Sequence, residues 1–192
     1  MESAADFLAD LARRTQALQV TLATELRPQS EAVLNHRPAP GSWSALECLE
    51  HLNRYGRHYL PALRQALARP ARPAHRLAPV RFSWLGRKSY ELVRPENAQP
   101  HRTLPRMNPV SSLLSAAAVV AELENQLVEL ARLIRTAPAS DLNRKAVPVE
   151  FLRLLKLRNG EALLFVVAHA QRHLAQATRA AGAGRAAVCL PA

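Results

Sequence analysis

Apolar positions recur at helical spacing through most of this chain. Phe7, Leu8, Leu11, Leu18, Leu22 and Leu26 fall close to a 3.6-residue period. Ser3 stands where it can cap this first helix, with Asp6 three residues on as a short capping-box partner, and Pro28 ends it. The stretch through Asn35, Pro38, Pro40 and Gly41 reads as loop. Ser44-Ala45-Leu46-Glu47 forms a capping box that opens a second helix, running to about Leu67. Its buried stripe is Cys48, Leu52, Tyr55, Tyr59 and Leu63, and Pro61 should kink it because proline removes a backbone donor. A third helix is expected from about Ser112 to Arg135, with Leu113, Ala117, Val120, Leu123, Leu127, Leu130 and Ile134 on the buried side and Glu122, Glu124 and Glu129 toward water. Pro138 closes it. A fourth helix, capped by Asn159, runs to about Ala181 and stops at Gly182 and Gly184.

Two stretches break this pattern. Between the second and third helices, a crossover over 68–111 carries seven of the fourteen prolines. Loops of this length in a domain usually join the distant ends of two elements or carry function. Phe82-Ser83-Trp84-Leu85-Gly86 offers apolar side chains to pin it, with a short helix through Arg87 to Val93. Residues 139–158 stay ambiguous. Val147-Pro148-Val149 is extended, whereas Phe151-Leu152-Arg153-Leu154-Leu155 fits one helical turn or a short strand equally well.

Four amphipathic helices without an internal repeat make an all-α, four-helix bundle the economical fold. Its length of 192 residues suits a single domain, read as 1–185, with 186–192 as a frayed tail. No apolar run approaches the roughly 18 to 20 residues needed to span a bilayer. The acidic start at Met1-Glu2-Ser3 is unlike a signal peptide, and the two cysteines, Cys48 and Cys189, suggest free thiols in a reducing compartment. The cytoplasm is the expected location.

The net charge of +11 is unevenly placed. Between Arg54 and Arg106 there are twelve basic residues and two acids, or +10; the remaining 14 basic and 13 acidic residues give +1. Such a segment attracts anions, but it lacks a recognition-helix pattern and has few aromatics for stacking, which argues against nucleic acid. The 23 arginines against 3 lysines fit a biased genome as readily as a binding surface.

The candidate chemistry lies in the fourth helix. His169 and His173 are four residues apart, so their imidazoles leave one face a turn apart, a spacing suited to a metal ion. Two ligands make a loose site, and a third has to come from a facing helix. His51 flanks the second helix's buried stripe, and His58, two turns on, competes with it. His36, His75 and His101 fall in loops. Three neutral imidazoles suit zinc or nickel and leave a position open for water or substrate. In a preformed site, their nitrogens should lie on the order of 3 to 4 Å apart. Glu47 or Glu50 stands close enough in sequence to orient His51, although Glu47 already has a capping role. Trp43 and Trp84 read as packing anchors and Cys48 as a buried, inert thiol.

Gly41-Ser42-Trp43-Ser44-Ala45-Leu46-Glu47-Cys48-Leu49-Glu50-His51-Leu52 resembles the opening of the second helix in the DinB-like superfamily, where a Trp-Ser pair precedes a Glu and a His-Leu. Glu161-Ala162-Leu163, followed by His169-Ala170-Gln171-Arg172-His173-Leu174-Ala175-Gln176, resembles that family's last helix. The resemblance implies an up-down-down-up bundle whose long crossover joins two parallel helices. It also implies a three-histidine metal site, mapping by position to His51, His169 and His173 and leaving His58 without a counterpart. The family includes zinc- or nickel-binding hydrolases and thiol-dependent transferases or isomerases that act with bacillithiol, mycothiol or glutathione. The expected function is therefore a metal-dependent hydrolase or thiol-dependent transferase acting on a small molecule, with a low-molecular-weight thiol as co-substrate and a homodimer as a plausible assembly. The alternative is a non-catalytic metal-binding or stress-related bundle whose basic crossover binds an anionic partner, either nucleic acid or an anionic membrane.

Overall fold

The computed structural model describes residues 3–188, apart from 77, 98, 100–103, 112, 151 and 153. His101, Cys189, the predicted start of the third helix at Ser112 and the end of the tail lie outside the described residues. The chain is mostly helical. Its four long helices among the described residues are α1 (Ala4–Thr21), α3 (Ala45–Leu67), α5 (Ala116–Thr136) and α6 (Asn159–Val188). The shorter α2 (Glu31–Asn35) and α4 (Trp84–Val93) lie in the connections. α3 packs against both α5 and α6, and α1 packs against those same two helices.

The starts of these helices follow the capping rules. The Ser3 hydroxyl accepts from the Asp6 amide and donates to the Asp6 carboxylate, so Asp6 pairs with the hydroxyl of the cap. Ser44 and Glu47 form the reciprocal box that starts α3, and that helix continues through Pro61 to Leu67. Ser30, which sequence reading left in a loop, caps α2. α5 starts later than its periodicity predicts, at a cap on Ser115. Leu113 is consequently 81% exposed and Ala117 is exposed, while Val120, Leu123, Leu127, Leu130 and Ile134 are buried. The glutamates of α5 are held in ion pairs to other elements, Glu122 with Arg57, Glu124 with Arg27 and Glu129 with Arg64, and Glu129 also pairs with Arg132 of its own helix.

α6 departs most from expectation. Its entry is held by Glu161, which accepts from the Arg158 and Ser83 amides, whereas the Asn159 side chain donates to the Asp141 carbonyl. Instead of stopping at its glycines, α6 runs through both to Val188. A Cβ at Gly184 would lie 2.4 Å from the Val33 carbonyl oxygen, so this glycine allows α2 to lie directly on α6. The ambiguous stretch is an antiparallel hairpin, with β1 (Lys145–Pro148) pairing Lys145 opposite Arg158 and Pro148 opposite Lys156 in β2 (Lys156–Arg158).

The crossover is fastened at several points. Val80 and Met107 are buried, Phe82 and Leu85 pack on the core, and Phe82 meets Phe7 edge to face at 6.1 Å between ring centroids. Trp84, expected to anchor it, is 68% exposed; Glu161 supplies the anchor by holding the Ser83 amide where α4 begins. Gly86 makes room, since a Cβ there would lie 2.3 Å from the Glu161 carboxyl carbon. The core falls into two clusters, one centred on Leu11, Tyr59, Leu63, Leu130 and Leu163, the other on Leu22, Leu34, Leu49, Leu123 and Leu174. His169 sits in the chain where α6 passes from one cluster to the other, and His51 lies one turn before Tyr55, where α3 reaches the first cluster.

Candidate metal centre

Two neighbouring elements bring three imidazoles together. His51 comes from α3, two turns after its capping box, and His169 and His173 come from successive turns of α6. One ligand nitrogen from each lies within 4.8 Å of the other two. The Nε2 atoms of His51 and His169 are 3.2 Å apart. Zinc-nitrogen bonds of about 2.0 to 2.1 Å at tetrahedral or octahedral angles require ligand separations of roughly 3.0 to 3.4 Å. The first pair already has that spacing, and the third imidazole offers a ligand nitrogen within 4.8 Å of both.

The outward nitrogens of two rings are fixed. His51 Nδ1 donates to the Met107 carbonyl oxygen at 2.8 Å, and His173 Nδ1 donates to Gln176 Oε1 at 3.0 Å. A neutral imidazole that donates from Nδ1 keeps its Nε2 lone pair free, and that of His51 faces the His169 ring. Burial pushes His51 down to about 4 and His173 down to about 3, and it holds His169 well below the usual histidine range, with the neighbouring imidazoles adding to the effect. All three are therefore neutral near pH 7, as metal ligation demands. The donor set, three nitrogens without a carboxylate or thiolate, fits a divalent metal ion.

His51 and His169 are buried and His173 is partly exposed. Trp43 lies 4.9 Å from His51 and 6.0 Å from His173 between ring centroids, and so it walls the centre directly. Tyr55 covers the opposite flank, 4.3 Å from the His169 ring. Its hydroxyl, and that of Tyr59 one turn on, both donate to the Glu150 carboxylate. Burial and that carboxylate hold both phenols above the usual tyrosine range. Behind His169, a small cavity of about 30 Å³ is lined mainly by Leu52, Leu123, Leu127 and Phe165. A larger groove of about 320 Å³ lies elsewhere, between Phe7, Phe82, Tyr90 and Leu164, and its Arg14 already holds Gln171.

The other sequence candidates separate from the centre. His58 donates to the Pro148 carbonyl oxygen, His75 contacts Asp141, and His36 packs near Gly184. Neither glutamate orients His51: Glu47 is held by Arg37 and the Ser44 amide, and Glu50 by Arg54 and Arg57. The Met107 carbonyl takes that role, and a backbone oxygen 56 residues away leaves no signal in side-chain pattern. Gln176 was visible, because a glutamine three residues after a histidine shares its helix face. Cys48 is buried as expected, with burial pushing its thiol up to about 12.

Arg172, between the two α6 histidines, donates to the carbonyl oxygens of Asn97 and Gln99 and so ties the crossover over this face of α6. No helix among the described residues is long and apolar enough to cross a membrane. No match was found among curated proteins or solved structures. The family model of the DinB superfamily matches residues 8–177, taking in both His51 and the α6 pair, and the chain belongs to that superfamily.

Proposed function

We propose that this protein is a metal-dependent enzyme acting on a small molecule, with His51, His169 and His173 holding a divalent ion, zinc or nickel. The supporting observation is the meeting of three neutral imidazole nitrogens within 4.8 Å, two of them fixed from behind by Met107 and Gln176. We read the chain as a single domain over 1–185, its four long helices forming an up-down-down-up bundle in which the crossover joins parallel helices. The same reading takes the cytoplasm as the default location and allows a homodimer.

When bound, such an ion supplies Lewis acidity, which lowers the pKa of a water or a thiol brought to it. The chain's own residues do the remaining work. Met107 and Gln176 keep the His51 and His173 rings oriented, and Trp43 and Tyr55 exclude water from two sides. Tyr55, one turn from His51, and Tyr59, two turns from it, both donate to Glu150, which fixes the Tyr55 ring against His169. Two reactions fit this arrangement: hydrolysis, and transfer of a low-molecular-weight thiol of the bacillithiol, mycothiol or glutathione kind to an electrophile.

The test is metal content by mass spectrometry in the purified protein and in a His169→Ala, His173→Ala double variant. Stoichiometric metal in the first and its loss in the second are expected; equal, near-zero metal in both overturns the reading. A panel of electrophiles with each thiol then separates transferase from hydrolase. One observation favours a second reading: a 3.2 Å Nε2–Nε2 approach also suits a direct His169-to-His51 hydrogen bond in a non-catalytic bundle. Under that reading the double variant changes stability and leaves metal content unaltered.

A further inference from the structure

Two apolar features on the surface have no partner among the described residues. On α4, Trp84, Lys88 and Leu92 follow one another at four-residue intervals and share the outer face, with Trp84 68% and Leu92 52% exposed. At the tip of the β1–β2 hairpin, closed by the Val149 amide on the Leu155 carbonyl, Leu152, Leu154 and Leu155 are exposed, Leu154 to 88%. Large apolar side chains grouped this way on a protein surface mark an interaction site more often than isolated ones do. The two features belong to one edge of the molecule. α4 packs against β2, and Arg158 of β2 donates to the Arg81 carbonyl just before α4.

The charge around them is mainly positive, and the Glu150 carboxylate of the hairpin is held by the Tyr55 and Tyr59 hydroxyls. All three lysines of the chain are here, Lys88 on α4 and Lys145 and Lys156 on the hairpin, and all three are exposed. Arg81 and Arg87 are exposed beside them, and none of these five cations enters an ion pair among the described residues. The one acid on the outer face of α4, Glu91, is neutralised by Arg94. In a chain that otherwise uses arginine almost throughout, the lysines are confined to the surface that also displays the unpartnered leucines and tryptophan.

We propose that the outer face of α4 and the hairpin tip form a docking surface for an anionic lipid bilayer, holding the protein at the membrane without crossing it. Tryptophan and lysine on one helix face suit the interface, where an indole sits at headgroup depth and an ammonium meets lipid phosphate. The leucines of the tip enter the acyl boundary, and the unpaired cations attract the anionic leaflet. A second copy of the chain fits this surface poorly, because a two-fold contact would bring the same cations face to face. Nucleic acid fits poorly as well, since three leucines offer no stacking platform and the surface has a single exposed indole.

The test uses the full chain with vesicles of phosphatidylcholine alone and of phosphatidylcholine with phosphatidylglycerol. Sedimentation should show binding to the anionic vesicles that weakens as salt rises, and little binding to the neutral ones. Lys88→Ser should weaken partitioning about fivefold, and Trp84→Ser with Leu92→Ser, or Leu154→Ser alone, about tenfold or more. Because these side chains are exposed, the variants should keep the parent circular dichroism spectrum. In the unaltered protein, tryptophan emission should shift to the blue on anionic vesicles, and the shift should vanish in Trp84→Ser, which retains Trp43. Absence of vesicle binding overturns the proposal, as does binding that the Trp84, Leu92 and Leu154 substitutions leave unchanged. Nucleic-acid binding lost in Lys88→Ser, or a dimer lost in Trp84→Ser, overturns it when either occurs without vesicle binding.

Discussion

The imidazole of His51 donates from Nδ1 to the backbone carbonyl oxygen of Met107, 2.8 Å away, so an α3 histidine is oriented by the crossover. Because the Met107 side chain is itself buried, truncating it moves that carbonyl. Met107→Ala should lower metal affinity about tenfold, the usual scale for disturbing a ligand's outer hydrogen bond, and cost about 2 kcal/mol or more of stability. Competition with a chromophoric chelator measures the first effect and urea unfolding the second; unchanged affinity would remove Met107 from the site.

Gln176 plays the equivalent part for His173. Gln176→Ala should weaken metal binding roughly 10- to 100-fold with little loss of stability, because the glutamine is only partly buried. Gln176→Glu should retain or raise affinity, since a carboxylate accepts the same Nδ1–H bond more strongly. Equal affinities for the two variants would show that the contact does not orient the ring.

The two glycines near the end of α6 should respond in opposite directions. A Cβ at Gly182 meets only the Arg185 guanidinium, at 3.7 Å, so Gly182→Ala should stabilise by about 0.5 to 1 kcal/mol through helix propensity. At Gly184 the same methyl strikes the Val33 carbonyl at 2.4 Å, and overpacking of about 1 to 3 kcal/mol should outweigh that gain. Thermal unfolding of both variants decides the matter, and a stabilised Gly184→Ala would mean that α2 does not rest on α6.

Glu129 gives an acid-dependent contribution whose sign is fixed. Hydrogen bonds from Arg132 and Arg64 hold its carboxyl at about 2, below the ordinary value of 4.5. The unfolded chain therefore binds its proton first, so stability from this group is complete above about 4.5 and is lost as pH falls toward 2. Urea unfolding of Glu129→Gln should accordingly show a shallower loss of stability between pH 5 and about 2.5 than the parent. Parallel curves would mean that the carboxylate is not paired in solution.

Cys48 should be unreactive while the protein is folded. In a Cys189→Ser variant, a thiol reagent at pH 8 should label Cys48 only after denaturant is added, because the buried thiol's value near 12 leaves almost no thiolate. Rapid native labelling would show that the Cys48 stripe opens.

The helices and the α6 histidine pair were legible for a shared reason: both depend on side chains repeated at fixed local spacing. Ser44 with Glu47, and His169 with His173, declare themselves within four residues, whereas the α3 stripe leaves His51 and His58 in competition and only the family resemblance selects His51. What sequence missed depends on backbone or on distant packing. Gly182 and Gly184 read as a stop until Val33 is seen to need the space at Gly184. Trp84 reads as an anchor until Glu161, 78 residues from Ser83, proves to hold that amide. Glu47 and Glu50 look like partners for His51 because they are near in sequence, yet arginines claim both.

The polar attachments of the crossover share one property. Ser83 is held through its amide, Asn97 and Gln99 through their carbonyls to Arg172, and Met107 through its carbonyl to His51. Every non-proline residue carries those groups, whatever its side chain. Outside the side chains that pack on the core, at Val80, Phe82, Leu85 and Met107, the segment that overlies the histidines can therefore change its side chains over evolution while these polar fastenings persist. A lineage could exchange one substrate for another by drift in the crossover, with the three imidazoles and their geometry inherited intact.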